Sequence, residues 1–214
     1  MNAIFCLYNQ YIIGIDGKLP SQVIPELGKE KAVKADMAMF KHITKDAIVV
    51  MGRKTWESLD CKPLPGRKMN IIITSAADEL TKQYPLKKFK DPVNFLTKEQ
   101  FERWHYANEP NVWIIGGRKL LEEYIPRCEQ VYINEIMANS KVFPLEGIST
   151  NQITNFDYSD LIELLKENNF IPEGSDRWPL MAKRCLYARE NATLFCYHFY
   201  KCYLNGWNNE RKFV

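Results

Sequence analysis

Val49-Val50-Met51-Gly52-Arg53-Lys54-Thr55-Trp56-Glu57-Ser58 passes from an unbroken apolar run through one glycine into a polar, helix-compatible stretch. Continuous rather than alternating hydrophobicity marks a strand buried on both faces, as in a parallel sheet covered by helices. The strand-like part spans residues 45–51 and the helix-like part 53–59. Trp113-Ile114-Ile115-Gly116-Gly117-Arg118-Lys119-Leu120-Leu121 repeats the same order of features: buried strand, glycines, two cations, then a helix over 120–124. Further strands are expected at 3–7, 69–74, 131–136 and 194–203. Between them, Met37, Phe40 and Ile43 stand at helical spacing in 36–43. Thr97-x-x-Gln100 reads as a capping box opening a helix through about residue 106. Ser159 reads as the cap of a helix carrying Leu161, Leu164 and Leu165. The alternation predicts an α/β fold with a mostly parallel central sheet, flanking helices and an antiparallel C-terminal edge strand. Residues 21–34 and 150–191 have weak periodicity and read as insertions in one domain spanning 1–214.

The 214 residues are 46% hydrophobic and 26% charged, the mix of a soluble globular protein. A net charge of +3 is too small to imply a nucleic-acid partner. No apolar run approaches the roughly 20 residues of a membrane span. The first eight residues lack a basic leader and make a poor signal peptide, so a cytoplasmic protein is expected. The six cysteines (Cys6, Cys61, Cys128, Cys185, Cys196, Cys202) contain no C-x-x-C pair and read as reduced thiols. None of the three histidines, His42, His105 and His198, adjoins a candidate Ser or Cys nucleophile. Triad hydrolysis and histidine-ligated metal chemistry therefore have little material, and no metal is expected.

Three features carry chemistry. The two strand–glycine turns would lie side by side at the carboxyl ends of parallel strands, where open α/β sheets bind ligands. Helix N-termini, with Arg53, Lys54, Arg118 and Lys119 nearby, suit phosphate. Neither turn is G-x-G-x-x-G, which disfavours an ordinary dinucleotide fold and leaves another diphosphate-bearing cofactor, or plain turns with solvated cations. Asp36 shares a helix face with Phe40 that is otherwise apolar. Burial there would push its pKa upward and suit proton handling; the alternative is an ordinary first-turn aspartate favoured by the helix dipole. Finally, the stiff turn Leu64-Pro65-Gly66-Arg67 either aims an arginine fork at a carboxylate or exposes a surface cation.

These segments together resemble the dihydrofolate reductase family, in order as well as in kind. Ile13-Gly14-Ile15-Asp16-Gly17-Lys18-Leu19-Pro20 is similar to its mobile active-site loop, and Asp36-Met37-Ala38-Met39-Phe40-Lys41 to its substrate helix. Met51-Gly52-Arg53-Lys54-Thr55-Trp56-Glu57-Ser58, Leu64-Pro65-Gly66-Arg67, Ile114-Ile115-Gly116-Gly117 and Val131-Tyr132-Ile133-Asn134-Glu135-Ile136 follow at family-like intervals. The resemblance covers about residues 3–145, with a weaker echo at 194–201. It implies an eight-stranded α/β sheet and NADPH-dependent reduction of 7,8-dihydrofolate to tetrahydrofolate by a monomer.

By the same resemblance Asp36 is the catalytic acid and Arg67 pairs with the α-carboxylate of the glutamate tail. Ile4, Cys6, Met37, Phe40, Lys41, Leu59, Leu64 and Asn134 complete the substrate site. NADPH is expected at Cys6, Ile13, Gly14, Ile15, Gly52, Arg53, Lys54, Thr55, Thr74, Ser75, Ile115, Gly116, Gly117, Arg118, Lys119, Leu120 and Leu121, with a cis peptide between the paired glycines. The chain departs from the family at Ser21, where a tryptophan is usual, at Asn134 for a threonine, at Leu121 for a tyrosine and at Arg118 for a glycine. The rival readings are a pyrimidinone reductase of riboflavin synthesis and a non-catalytic scaffold that binds folate or cofactor.

Overall fold

The computed structural model describes residues 1–85, 89–108, 111–172, 184–187 and 191–201. The apolar runs form the middle of one sheet. β1 (Asn2–Tyr8) lies between β6 (Val112–Gly116) and β7 (Gln130–Ala138), and β3 (Ile48–Gly52), β4 (Met69–Ile73) and β5 (Val93–Leu96) extend it beyond β6. All of these pairings are parallel. β11 (Ala192–Lys201) runs antiparallel to β7, with Cys196 opposite Asn134, and β10 (Arg184–Tyr187) lies outside it. The continuous path β10-β11-β7-β1-β6-β3-β4-β5 has eight strands. The C-terminal strand is thus antiparallel as expected but second from the edge, because residues 184–187 supply the outermost strand.

Three short strands lie off this path. β2 (Ile12–Ile15) pairs with β1 and with β8 (Ile153–Asn155), and β9 (Phe170–Pro172) pairs with β11. β8–β10, with α8 (Tyr158–Glu167), come from the stretch read as an insertion, so that stretch adds to the same sheet. The stretch 21–34 holds α1 (Pro20–Val23), α2 (Pro25–Lys29) and the start of α3 (Lys31–Ile43). Each of α1 and α2 has a proline in its first turn and is too short to show a period.

Successive strand residues alternate between two cores. On one face Phe5, Leu7, Val50 and Ile114 pack with α6 (Lys98–Asn108), α7 (Arg118–Tyr124) and α8 through Phe101, Leu121 and Leu161. On the other, Val49 and Met51 meet Trp56 of α4 (Arg53–Ser58) and Leu80 of α5 (Ala77–Gln83), while Tyr8 and Ile15 meet Ala32 and Val33 of α3. Each fully buried aliphatic side chain contributes about 1.5–3 kcal/mol.

The capping box forms as read: Thr97 N–H donates to Gln100 Oε1 at 2.8 Å, and Gln100 N–H to Thr97 Oγ1 at 3.2 Å. The cap of α8 is Asp157 rather than Ser159; the Asp157 carboxylate accepts from the Ser159 amide at 2.8 Å, which puts the serine inside the first turn. β3 starts at Ile48 rather than 45, since the chain turns through Asp46 at φ +56°. Residues 202–203 of the expected last strand lie outside the described residues. Among the described residues no helix is long and apolar enough to cross a membrane.

Candidate active site

Two elements create the acidic centre. α3 lies against β7 and β11, and its buried stripe Ala32, Val33 and Asp36 faces the sheet. The register sets Cys6 of β1, Asn134 of β7 and Cys196 of β11 in one row across that sheet. Asp36 is 6% exposed, and its Oδ1 accepts from Asn134 Nδ2 at 2.6 Å. The Cys6 thiol, which donates to Leu7 O at 3.6 Å, lies beside it. Burial pushes the Asp36 carboxyl up to about 6, and Asn134 and Cys6 hold it back in part. Burial and the neighbouring carboxylate push the Cys6 thiol well above its ordinary range. Asn134 Oδ1 is buried without a partner among the described residues. A first-turn aspartate sitting in solvent is thereby excluded. A second buried carboxylate, Glu135, follows Asn134 on β7 and accepts instead from Tyr197 Oη at 2.7 Å.

Arg67 is equally far from a surface cation. It is 6% exposed, donating from one terminal nitrogen to Pro65 O and from the other to Thr44 Oγ1, both at 2.7 Å. Its guanidinium carbon lies 5.4 Å from the Phe40 ring centroid, and its Nε has no partner among the described residues. Burial lowers the guanidinium from its ordinary value and Asp91 partly offsets this. Thr44, absent from the sequence reading, joins the two elements: its hydroxyl donates to Phe40 O at 2.6 Å while receiving from Arg67. Its only sequence signal is a hydroxyl at the end of an amphipathic helix.

Between these polar groups lie Phe40 and Ile115, which pack on Ile4, and Leu59 and Leu64, which pack on the Trp56 cluster. Ile4 is buried beneath Phe40, so its side chain is floor rather than wall. Met37, at 48% exposed, and Lys41 lie on the open side of α3.

The glycine turns meet as expected. A Cβ on Gly52 would stand 3.7 Å from Gly117 N. One on Gly116 would come 3.4 Å from Thr55 Oγ1, and Gly116 has φ +136°. The Gly116–Gly117 peptide is cis. Lys54, Ser75 and Lys119 are exposed, Thr74 is buried, and Arg53 is an exposed cation paired with Glu57 at 2.7 Å. In the segment after β1, Gly14 is tightly packed, since a Cβ would be 3.0 Å from Lys18 O. Ile13 and Leu120 are partly buried against the core.

Three expectations are corrected here. Leu121 is fully buried with Phe101 and Ile125, and Ile15 with Tyr8 and Leu27, so neither side chain can face a cofactor. The Arg118 guanidinium is directed away from the turn: Nε donates to Glu122 Oε1 at 2.6 Å, and a terminal nitrogen to Asn155 O at 3.0 Å and Oδ1 at 3.1 Å. What remains is a backbone cradle of Gly52, Gly116 and Gly117 with Thr55 and the exposed Arg53 and Lys54. A turn of closely apposed glycines without side chains fits a phosphate-bearing cofactor approaching the main chain.

A family model described as dihydrofolate reductase matches residues 1–154. The dihydrofolate reductase of Drosophila melanogaster is 33% identical over 142 residues, 64% of this chain and 72% of that protein. That of Mycobacterium leprae is 30% identical over 128 residues, 58% of this chain and 65% of that protein. The bifunctional dihydrofolate reductase-thymidylate synthase of Paramecium tetraurelia is 27% identical over 146 residues, which are 61% of this chain and 29% of that one. The chain thus spans less than two thirds of the length of the last two relatives. A solved dihydrofolate reductase from Enterococcus faecalis, complexed with NADP(H) and RAB-propyl, shares the fold: its TM-score is 0.59 at 22% identity, over 93% of this chain and 94% of that one.

Proposed function

The chain belongs to the dihydrofolate reductase family, and we propose that it reduces 7,8-dihydrofolate to 5,6,7,8-tetrahydrofolate with NADPH. The observation that carries the proposal is Asp36: a carboxyl 6% exposed, held by Asn134, titrating about 6, on the same helix as the Arg67-bound Phe40 and Thr44.

Asp36 accepts hydrogen bonds from the guanidine-like edge of the pterin and so orients the ring. Its raised pKa keeps a proton available for pterin N5, most directly through water. Phe40, Ile115, Leu59 and Leu64 exclude solvent from the rings, which strengthens every polar contact within. Arg67 has an uncommitted buried Nε for the tail α-carboxylate. NADPH, when bound, supplies the hydride for C6, so one hydride and one proton add across the C6=N5 bond. Gly52, Thr55, Gly116 and Gly117 hold the cofactor, and Arg53, Lys54, Thr74 and Ser75 favour a 2′-phosphorylated form. The reading takes the enzyme as a cytoplasmic monomer; the described cysteines Cys6, Cys61, Cys128 and Cys196 form no disulfide, which is compatible with a reducing compartment.

The test is NADPH oxidation by the purified chain, followed by absorbance with and without dihydrofolate. Oxidation that requires dihydrofolate is expected. Cofactor binding with no turnover would replace this reading with the non-catalytic scaffold.

A further inference from the structure

We infer that Arg118 is a positioning residue that clamps the loop strand β2 to the first turn of α7 by way of β8. It is a cation beside the paired glycines, where a phosphate contact would be the obvious assignment. Its charge is already met by Glu122, one helical turn on, at 2.6 Å. One terminal nitrogen, Nη1, reaches across to Asn155, bonding both the backbone and the side-chain oxygen of one residue, and its guanidinium carbon lies 5.7 Å from the centroid of Phe156. A guanidinium bound on two sides and seated over a ring acts as a strut.

What the strut reaches is the loop. Asn155 stands opposite Ile12, Thr154 opposite Gly14 and Ile153 opposite Ile15. Both ends of this pairing are extended. Phe156 N donates to Tyr11 O at 2.7 Å; Asp16 N donates to Gln152 O at 2.8 Å, and Gln152 Nε2 returns to Asp16 Oδ2 at 2.7 Å. β8 is three residues long, and Thr154 and Asn155 are exposed, so it buries little of its own. So short a strand is marginal by itself. Phe156, buried and stacked on Phe5 at 6.0 Å, anchors one end, and Arg118 is the side chain that joins β8 to the turn. β2 in turn follows directly on β1, whose Cys6 touches Asp36. Arg118 therefore ties the glycine turn of α7 to the segment between Cys6 and Pro20.

The clamp rests on the proposed function only in taking the α7 turn as part of the cofactor site; its decisive measurement needs no cofactor. Backbone amide exchange is measured on the free protein and on Arg118→Ala. Exchange at residues 12–16 is expected to rise about tenfold, the scale of one lost charge-assisted contact, while β7 and β11 amides keep their rates. Unchanged exchange at 12–16 would overturn the clamp, as would equal acceleration in β7 and β11. Arg118→Lys keeps the charge without the fork and should give an intermediate rate. Asn155→Ala, which leaves the backbone oxygen, covers the case of an Arg118 variant that does not fold and should also speed exchange at 12–16. With NADPH added, weaker binding in Arg118→Ala without any change at 12–16 would make Arg118 a direct cofactor ligand and overturn the inference. A wild-type chain that fails to oxidise NADPH would sink the functional reading, while the exchange contrast still decides the clamp.

Discussion

Around Asp36 the polar groups are inside the protein and answer one another: Asn134 donates to the carboxylate, and Cys6 lies beside it in the row across β1, β7 and β11. Around Gly52 and Gly117 the charges stand in solvent. Lys54 and Lys119 are exposed, and Arg53 is paired with Glu57 on the helix surface. The first region stores an altered proton affinity; the second offers backbone surface and diffuse positive charge. Substitutions in the first should therefore change the reaction and its pH dependence, and substitutions in the second should change cofactor affinity and choice.

Asp36→Asn is the strongest test of that division. Turnover is expected to fall roughly 10²–10⁴-fold, the usual range for a lost general acid. Stability should move the other way. The folded carboxyl titrates at about 6, above the ordinary value of about 3.9, so between those values the folded state binds the proton more tightly than the unfolded one. Stability contributed by Asp36 is complete below the lower value and lost as pH rises to the upper one, a difference of about 3 kcal/mol. The asparagine variant, whose Oδ1 can still accept from Asn134, should melt above wild type at pH 7.5 and lose that advantage near pH 4. Thermal melts at both pH values, with turnover assays alongside, check it. A variant that is active, or equally stable relative to wild type at both pH values, would unseat Asp36 from the buried site.

The same contrast explains what could be read without coordinates. Val49–Met51 and Ile114–Ile115 are legible because burial on both faces leaves an unbroken apolar run, and Thr97 with Gln100 because a capping box is local. Asp36 is legible as a carboxylate on an apolar stripe. Ile12–Ile15 and Ile153–Asn155 are not, since each is short, one contains Gly14, and their pairing joins segments distant in the chain. Asp157 displaced Ser159 because both can cap and only the geometry of the turn decides. Leu121 could have been placed correctly: with Tyr124 it forms an inward helical pair, both buried. Arg118 could not, because Arg53-Lys54 and Arg118-Lys119 are the same dipeptide, and only what packs nearby separates a solvent cation from a strut.

At the glycine turns, Gly116→Ala should raise the KM for NADPH roughly tenfold or more. The added methyl meets Thr55 Oγ1 at 3.4 Å on a residue at φ +136°, a conformation costing about 1–3 kcal/mol for other residues. Gly52→Ala, with its nearest atom at 3.7 Å, should do less. In both, the pH dependence of turnover should stay where it is; a shift would mean the two regions are not independent. Arg53→Ala comes next, expected to cut the preference for NADPH over NADH by roughly tenfold, the worth of one charge-assisted contact. Steady-state kinetics with both cofactors measure this, and an unchanged ratio would free Arg53 from the 2′-phosphate.

The smallest effect concerns the hydrogen bond at the centre of the acidic region. Asn134 donates to the carboxylate and so favours its charged form, opposing the desolvation that raises its pKa. Asn134→Ala removes the donor and leaves the burial, so the Asp36 pKa must move upward from about 6. If turnover uses the protonated carboxyl, the decline of rate with rising pH then begins later, by about half to one unit. Asn134→Thr restores a donor and should return the profile toward wild type, which a simple packing defect at this position would not do. Rates of hydride transfer measured across pH 5–9 distinguish the two. A limb that moves to lower pH would mean that Asn134 stabilises the protonated acid rather than the carboxylate.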